Sequence, residues 1–236
     1  MLFLGHGADR TGPPMFLAHL QRWLATHDDL AFATVLTRGG PLLEDYRRWG
    51  EVRVLDARWS LPRIAQQGLA RVGLDGPSAS LRRLRDRTHL RGWGPIPLVY
   101  LNTASPATLR VLAQVPATAT VVAHVHELEV ALRYQLDATE RALLLDRPTR
   151  FFAASQAVAD NLAERHGVDP GRIEVHHEFV EPVAPVTGAD RAAARHALGL
   201  DPEAFVVVGS GMTEWRNGPD LFVGLPAELR RAVDRP

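Results

Sequence analysis

The sequence predicts a doubly wound α/β fold, a parallel sheet with helices on both faces, followed by the start of a second lobe of the same kind. Three observations carry that expectation. Short apolar runs alternate with helical patterns along the chain, the mark of successive βα units. Most of the runs are near-continuously apolar rather than alternating, as strands covered on both faces are. The pattern then closes in a Pro-bounded connector, Pro182–Asp190, after which a new helix, an apolar run and a glycine turn begin.

The first strand is Leu2–Gly5. Pro13 and Pro14 suit the first turn of the helix that follows, because the amide donors they lack have no intrahelical partner there. That helix, Met15–Thr26, places Phe16, Leu20, Trp23 and Leu24 on one stripe, with His19 and Arg22 off it. Strands are expected next over Phe32–Thr37 and Val52–Leu55. The Arg-rich stretch Ser60–Gly94, interrupted by Gly73, Gly76 and Pro77, reads as two helices packed outside the sheet. Further strands follow over Leu98–Asn102, Thr120–Val125, Phe151–Ala154 and Ile173–His177. Between the last two, Ser155 can cap a helix over Gln156–His166 and Gly167 can end it. Beyond the connector, Arg191–Leu198 is a short helix, Phe205–Gly209 a strand and Asn217–Val233 the next helix. The expected division is 1–182 for the first lobe and 183–236 for the linker and an incomplete second lobe.

Composition narrows the function. The 236 residues are 46% hydrophobic and 23% charged, ordinary for a soluble globular protein. The 27 basic residues balance the 27 acidic ones, which gives no electrostatic footprint for nucleic acid. Every basic residue is Arg, so no lysine serves catalysis or phosphate binding. The absence of Cys removes disulfides, thiol nucleophiles and Cys-ligated zinc, and fits a reducing, cytoplasmic setting. No apolar run has bilayer-spanning length, and MLFLGHGADR lacks the basic leader and apolar length of a signal peptide. The arginines are scattered rather than clustered, which leaves room only for a peripheral membrane contact.

Three segments can carry chemistry. The turn GHGADRTGPP follows a strand and opens a helix, where backbone amides can approach an anion. A dinucleotide fingerprint would need glycine where Arg10 stands, and a P-loop would need Lys and then Ser or Thr where Pro13 and Pro14 stand. The turn therefore reads either as a close approach of substrate to Gly12 and Arg10 or as a strand-to-helix turn that needs small residues. Next, His124 and His126 point to one side at the carboxyl end of a strand, where ligands of open α/β sheets bind. They can hold a sugar hydroxyl or stabilise developing charge, ligate a metal in a hydrolase, or be bonded into the scaffold. No HxxxH, HExxH or Asp-rich segment supplies an obvious third ligand. Finally, VVVGSGMTEWRNGPDLF offers Gly209, Ser210 and Gly211 to phosphate oxygens and Arg216 to a diphosphate, or else places a surface arginine beside a structural tryptophan.

Taken in order, ADRTGPPMFLAHLQRWL, RGGPLLEDY, LVYLNT, VVAHVHELE, AASQAVADNLAERHGV and VVVGSGMTEWRNGPDLF resemble glycosyltransferase family 4, the retaining enzymes with two Rossmann-like lobes known as GT-B. The resemblance covers nearly the whole chain. It implies an acceptor-binding first lobe, a second lobe that binds a nucleotide-diphosphate sugar as co-substrate, and no other cofactor or obligate metal. The acceptor would be a sugar or lipid-linked hydroxyl. It implies that His126 is the catalytic residue beside the donor sugar. Gly12, Arg10, Glu127, Ser210, Gly211, Arg216 and Asn217 form the expected substrate- and donor-binding set. The chain departs from the family where Asn217 replaces a common lysine, and where the paired-glutamate segment of the second lobe is missing. On that reading this stretch alone has little or no transferase activity, and a non-catalytic binding module with a degenerate clamp is the further alternative.

Overall fold

The computed structural model describes residues 1–27, 29–56, 61–92, 94–180, 182–211, 213 and 217–233. The chain divides into two compact units, Met1–Glu181 and Pro182–Pro236. The first unit contains strands β1 (Leu2–Gly5), β2 (Ala33–Leu36), β3 (Glu51–Val54), β4 (Leu98–Asn102), β5 (Thr120–Val125), β6 (Arg150–Ala153) and β7 (Ile173–Val175). Between them run helices α1 (Gly12–His27), α2 (Leu43–Trp49), α3 (Leu61–Arg71), α4 (Asp75–Leu90), α5 (Pro106–Leu112), α6 (Glu129–Tyr134), α7 (Ala138–Asp146) and α8 (Gln156–Asp160). All seven strands form one parallel sheet in the order β3-β2-β1-β4-β5-β6-β7. The predicted Rossmann-like α/β class is the one observed, and each of the seven expected strands is present.

Period-two alternation sorts the strand residues onto two apolar layers. Leu2, Leu4, Val99, Leu101 and Val121 meet Leu109 and Leu112 of α5 and Val158 of α8 on one face. Phe3, Leu36 and Tyr100 meet Leu17 of α1 and Tyr46 of α2 on the other. Burial on both sides is why the strands read as continuous apolar runs. The chain winds outward from β1 to β3, then crosses back to β4 and winds the other way, so the topological switch lies between β1 and β4. In open sheets of this kind the ligand crevice lies there, outside the carboxyl ends of the strands.

Several elements differ from expectation. In α1 the stripe facing the sheet is Leu17, Leu20, Gln21 and Leu24, at i, i+3, i+4 and i+7 spacing. Trp23 lies outside that stripe, about half exposed and stacked on His27 with ring centroids 5.1 Å apart. Gln21 is fully buried and donates to Thr34 Oγ1 at 2.9 Å, so a polar pair takes a place the apolar reading gave to tryptophan. Ser155 caps α8 by accepting from Val158 N, but the helix continues as a π-helical segment, Asn161–Arg165, that turns Asn161 and Leu162 inward. Gly167, with φ of +67°, ends it as expected, and Val168 N donates back to Leu162 O at 3.0 Å. The two helices expected in the Arg-rich stretch are α3 and α4. Arg85 and Asp86 tie α4 to the body through Asp56 and Arg110, at 2.8 and 2.6 Å.

The second unit contains α9 (Gly188–Ala197) and α10 (Pro219–Val233). The strand expected over Phe205–Gly209 does not form; these residues have no regular secondary structure. Their β-branched composition favours an extended chain, but a strand exists only through a neighbour that takes up its backbone donors and acceptors. Among the described residues of this unit no neighbouring strand is present. No helix among the described residues is long and apolar enough to cross a membrane.

Candidate functional site

The carboxyl edge of the sheet gathers the polar side chains. After β1 the chain turns through His6–Thr11 and starts α1 at Gly12. Gly40 lets the next loop seat against this turn: a Cβ there would lie 2.4 Å from the Ala8 carbonyl oxygen, and Leu42 N donates to that oxygen at 2.8 Å. The Thr11 hydroxyl donates to Asp9, whose carboxylate also lies 3.9 Å from His6 Nε2 and from Arg38 Nη2. Burial holds the His6 imidazole below its ordinary value, with Asp9 opposing the shift.

At the end of β5, His124 and His126 face the same way, with ring centroids 4.3 Å apart. His124 is 1% exposed, and its Nδ1 lies 2.7 Å from the Tyr100 hydroxyl. Burial first, then the charge of His126 and His176, holds the His124 imidazole down to about 3. Burial also raises the Tyr100 phenol well above its usual value, so the phenol keeps its proton. His124 is thus a neutral core residue, hydrogen-bonded to the Tyr100 hydroxyl through Nδ1. Phe16 of α1 lies edge-on to it at 4.9 Å.

His126 is the exposed-edge member of the pair, with a side chain 8% exposed. Its Nε2 lies 3.1 Å from Asn102 Oδ1, and its Nδ1 lies 2.7 Å from Glu178 Oε1, a close charge contact whose direction departs from a regular hydrogen bond. Asn102, at the end of β4 and fully buried, donates from Nδ2 to the Pro13 carbonyl at 3.0 Å. It therefore ties the first turn of α1 to His126. Glu127 is used differently. Its Oε2 accepts from the amides of Ala104 and His126 at 3.2 and 3.0 Å, clipping the β4 loop to the end of β5. Burial raises its carboxyl above the usual range, with those bonds opposing. Between them Thr103 holds φ of 80°, the only non-glycine residue with positive φ among those described. Such a conformation costs about 1–3 kcal/mol and persists where surrounding bonds enforce it.

Glu178 reaches this place because the chain after β7 folds back across the carboxyl edge. His176 packs on Phe152 of β6 at 4.3 Å, Glu178 meets His126 at the end of β5, and Phe179 meets Phe16 of α1 at 5.2 Å. A Cβ on Gly12 would stand 4.0 Å from Glu178 Oε2. Gly12 and His126 are therefore each brought beside one oxygen of the same carboxylate. The His126 bond, above all, holds the Glu178 carboxyl below its usual range, and partial burial opposes this.

Of the expected site residues, Gly12, Arg10, His126 and Glu127 lie at this edge, with Arg10 exposed in the turn. Ser210 and Gly211 are exposed in the second unit, Asn217 lies just ahead of α10, and Arg216 falls outside the described residues. Sequence reading missed Asn102, Tyr100 and Glu178. The polar residue closing the apolar run LVYLN was the one signal for Asn102, and HHEF after a strand the signal for Glu178. Among the described residues no group of three or more His, Asp or Glu is arranged to hold a metal ion.

The fold defines a Rossmann-like α/β unit whose polar side chains gather at the carboxyl ends of the strands, where open sheets of this kind bind ligands. A solved glycosyltransferase from Rickettsia africae ESF-5 is similar in fold, with a TM-score of 0.55 at 12% identity over 98% of this chain and 57% of that one. Among curated proteins, the D-inositol 3-phosphate glycosyltransferase of Mycolicibacterium gilvum (strain PYR-GCK) is 40% identical over 86 residues, 36% of this chain and 19% of the relative. The enzyme of the same name from Rhodococcus jostii (strain RHA1) is 40% identical over 83 residues, 34% of this chain and 18% of the relative. The chain thus matches about a fifth of the length of these relatives. No family model matches it. The resemblance to family 4 glycosyltransferases read from the sequence is borne out by these relatives.

Proposed function

We propose that the chain is part of a retaining GT-B glycosyltransferase that moves a sugar from a nucleotide-diphosphate sugar to a hydroxyl acceptor. The observation that carries this reading is the placement of His126 and Gly12 beside the two oxygens of one carboxylate at the carboxyl edge of a parallel sheet. The relatives' shared name supports the reaction class, and the polar cluster at the carboxyl edge supports the place. In the transfer the acceptor oxygen bonds to the anomeric carbon as the bond from that carbon to the phosphate oxygen breaks, leaving a nucleoside diphosphate and one proton. Little covalent chemistry falls to the protein; positioning and stabilisation of the separating negative charge supply the rate. The first unit would hold the acceptor. Ser210, Gly211, Arg216 and Asn217 of the second would approach the diphosphate. A lipid-linked acceptor would add a peripheral membrane contact to a cytoplasmic enzyme.

The test is binding read at the site. Ring and amide NMR signals of His126, Arg10 and Gly12 are followed while hexoses, inositol phosphates and nucleoside diphosphates are titrated in. Saturable shifts confined to this edge are expected with at least one sugar-type ligand, and His126→Ala weakens them at least tenfold. Unmoved signals across the whole panel would remove the reading.

A further inference from the structure

We propose that the groove between α4, α5 and α7 is a second binding site, for a small phosphate ester that also carries hydroxyl groups. It lies in the helical layer outside the sheet and shares no lining residue with the carboxyl edge, so it stands apart from the transferase reading.

The groove has a volume of about 770 Å³, within the usual range of small-molecule sites. Four arginines line it: Arg82, Arg83 and Arg87 from α4, and Arg110 from α5. Arg83 and Arg87 stand one helical turn apart and share a face. Among the described residues Arg82, Arg83 and Arg87 have no ion-pair, hydrogen-bond or ring partner. Arg110 is fixed in place. Its Nε donates at 2.6 Å to Asp86, which is fully buried and is also held by Arg85 at 3.3 Å. Held through Nε, the Arg110 guanidinium keeps its Nη groups for the forked contact that phosphate oxygens accept.

Two carboxylates, Asp137 and Glu140, face the groove from the start of α7. Each accepts a backbone amide of the α7 cap, at 2.8 and 3.0 Å, and neither pairs with a groove arginine among the described residues. Positive charge is therefore in excess here, although the chain as a whole is neutral. Like charges gathered in one concavity repel, and a bound anion relieves that repulsion.

A second observation narrows the ligand. Gln114, also in the lining, donates from Nε2 to the Arg110 carbonyl at 3.3 Å, while its Oε1 is buried without a partner. Buried acceptors of this kind are costly unless a donor reaches them. Phosphate oxygens cannot supply that donor; a hydroxyl can. Leu84 and Leu143 offer apolar wall to the carbon skeleton between the two groups. The arginines thus select the phosphate, and Gln114 selects the hydroxylated part.

The experiment uses the intact chain and follows backbone amide and arginine Nε signals by NMR. Glucose 6-phosphate, glucose, inorganic phosphate and phosphatidylserine vesicles are added separately at about 0.15 M salt, where charges are screened beyond about 8 Å. Glucose 6-phosphate should give saturable shifts at Arg83, Arg87, Arg110 and Gln114, glucose none, and inorganic phosphate weaker binding. Arg87→Gln should weaken glucose 6-phosphate about tenfold, the loss of one charge-assisted bond, with the amide pattern of the carboxyl edge unchanged. Gln114→Leu should weaken glucose 6-phosphate and leave inorganic phosphate as it was. Unmoved groove signals, or unaltered affinity in Arg87→Gln, would overturn the proposal. Equal binding of inorganic phosphate and glucose 6-phosphate would reduce the groove to an adventitious ion site. Shifts produced by vesicles alone would assign it to a lipid surface and sink the proposal as well. A responsive groove beside an edge that no sugar-type ligand moves would remove the transferase reading alone.

Discussion

His124 and His126 are separated by one residue on one strand, yet their environments push them to opposite tasks. His124 is sealed among Phe16, Tyr100 and Phe152, and its ring resists protonation down to about 3. The unfolded ring titrates near 6.5, so between these values the unfolded chain binds a proton that the folded chain refuses. Stability contributed by His124 is therefore fully present above about 6.5 and falls as pH is lowered toward 3. Glu178 acts in the same direction at the acid end, because its carboxyl is depressed mainly by the His126 bond. Glu127, raised by burial, acts in the opposite direction. The prediction is that the urea midpoint of the wild type drops steeply over this window, and that His124→Phe flattens the drop. Equal slopes for the two proteins would show that His124 is not the source. At this scale the sequence disclosed less of the site than of the fold. The H-x-H spacing at a strand end pointed to His124 and His126 alike, and only the resemblance singled out His126. Asn102 was one more residue in an apolar run, and Glu178 reaches His126 only after the chain has passed through two further strands. Neither leaves a local pattern, because each acts through a tertiary contact.

At the scale of elements, what was legible was whatever a short window decides. A run of apolar residues covered on both faces specifies a buried parallel strand almost irrespective of its neighbours, and all seven were found. The face of α1 was harder. A large aromatic residue was taken as core, whereas the helix buries Gln21 in a bond to Thr34 and leaves Trp23 outside. Phe205–Gly209 was misread for a related reason: strand propensity is local, but strand formation needs a partner. Two glycines, one in a connection and one inside a helix, allow a sharper test because they demand opposite outcomes from one substitution. Gly40 packs against the first turn so closely that a methyl group would sit 2.4 Å from a backbone oxygen. Gly40→Ala must move one loop or the other, and about 1–3 kcal/mol of destabilisation is expected. Gly68 lies in the interior of α3 with nothing within 4 Å of an added Cβ. Gly68→Ala should stabilise by about 0.5–1 kcal/mol through helix propensity alone. Denaturant unfolding of the two variants checks both signs. A neutral Gly40→Ala would mean that the loop seating on Ala8 is not as close as described.

For the whole molecule, the distribution of burial separates what folds the chain from what it carries. The seven-stranded sheet and both apolar layers lie within Met1–Glu181. In the second unit α9 buries none of its residues, Phe205 is 91% exposed, and the described residues form two helices without a strand. Hydrophobic stabilisation follows apolar area removed from water, so nearly all of it belongs to the first unit. The final prediction is that residues 1–181 expressed alone fold cooperatively and unfold at the same urea midpoint as the full chain. They should also keep the His126 ring signals and the amide pattern of the carboxyl edge. The same reasoning predicts where protease reaches first: brief digestion should cut within 182–236 and leave a resistant product close to the first unit. Both outcomes follow from one physical premise, that Asn102, His126, Glu127 and Glu178 are held by bonds made wholly inside this unit. If residues 1–181 instead proved molten, or folded but lost the Glu178 contact, the second unit would have to be supplying order to the site. The edge could then no longer be treated as built by the sheet alone.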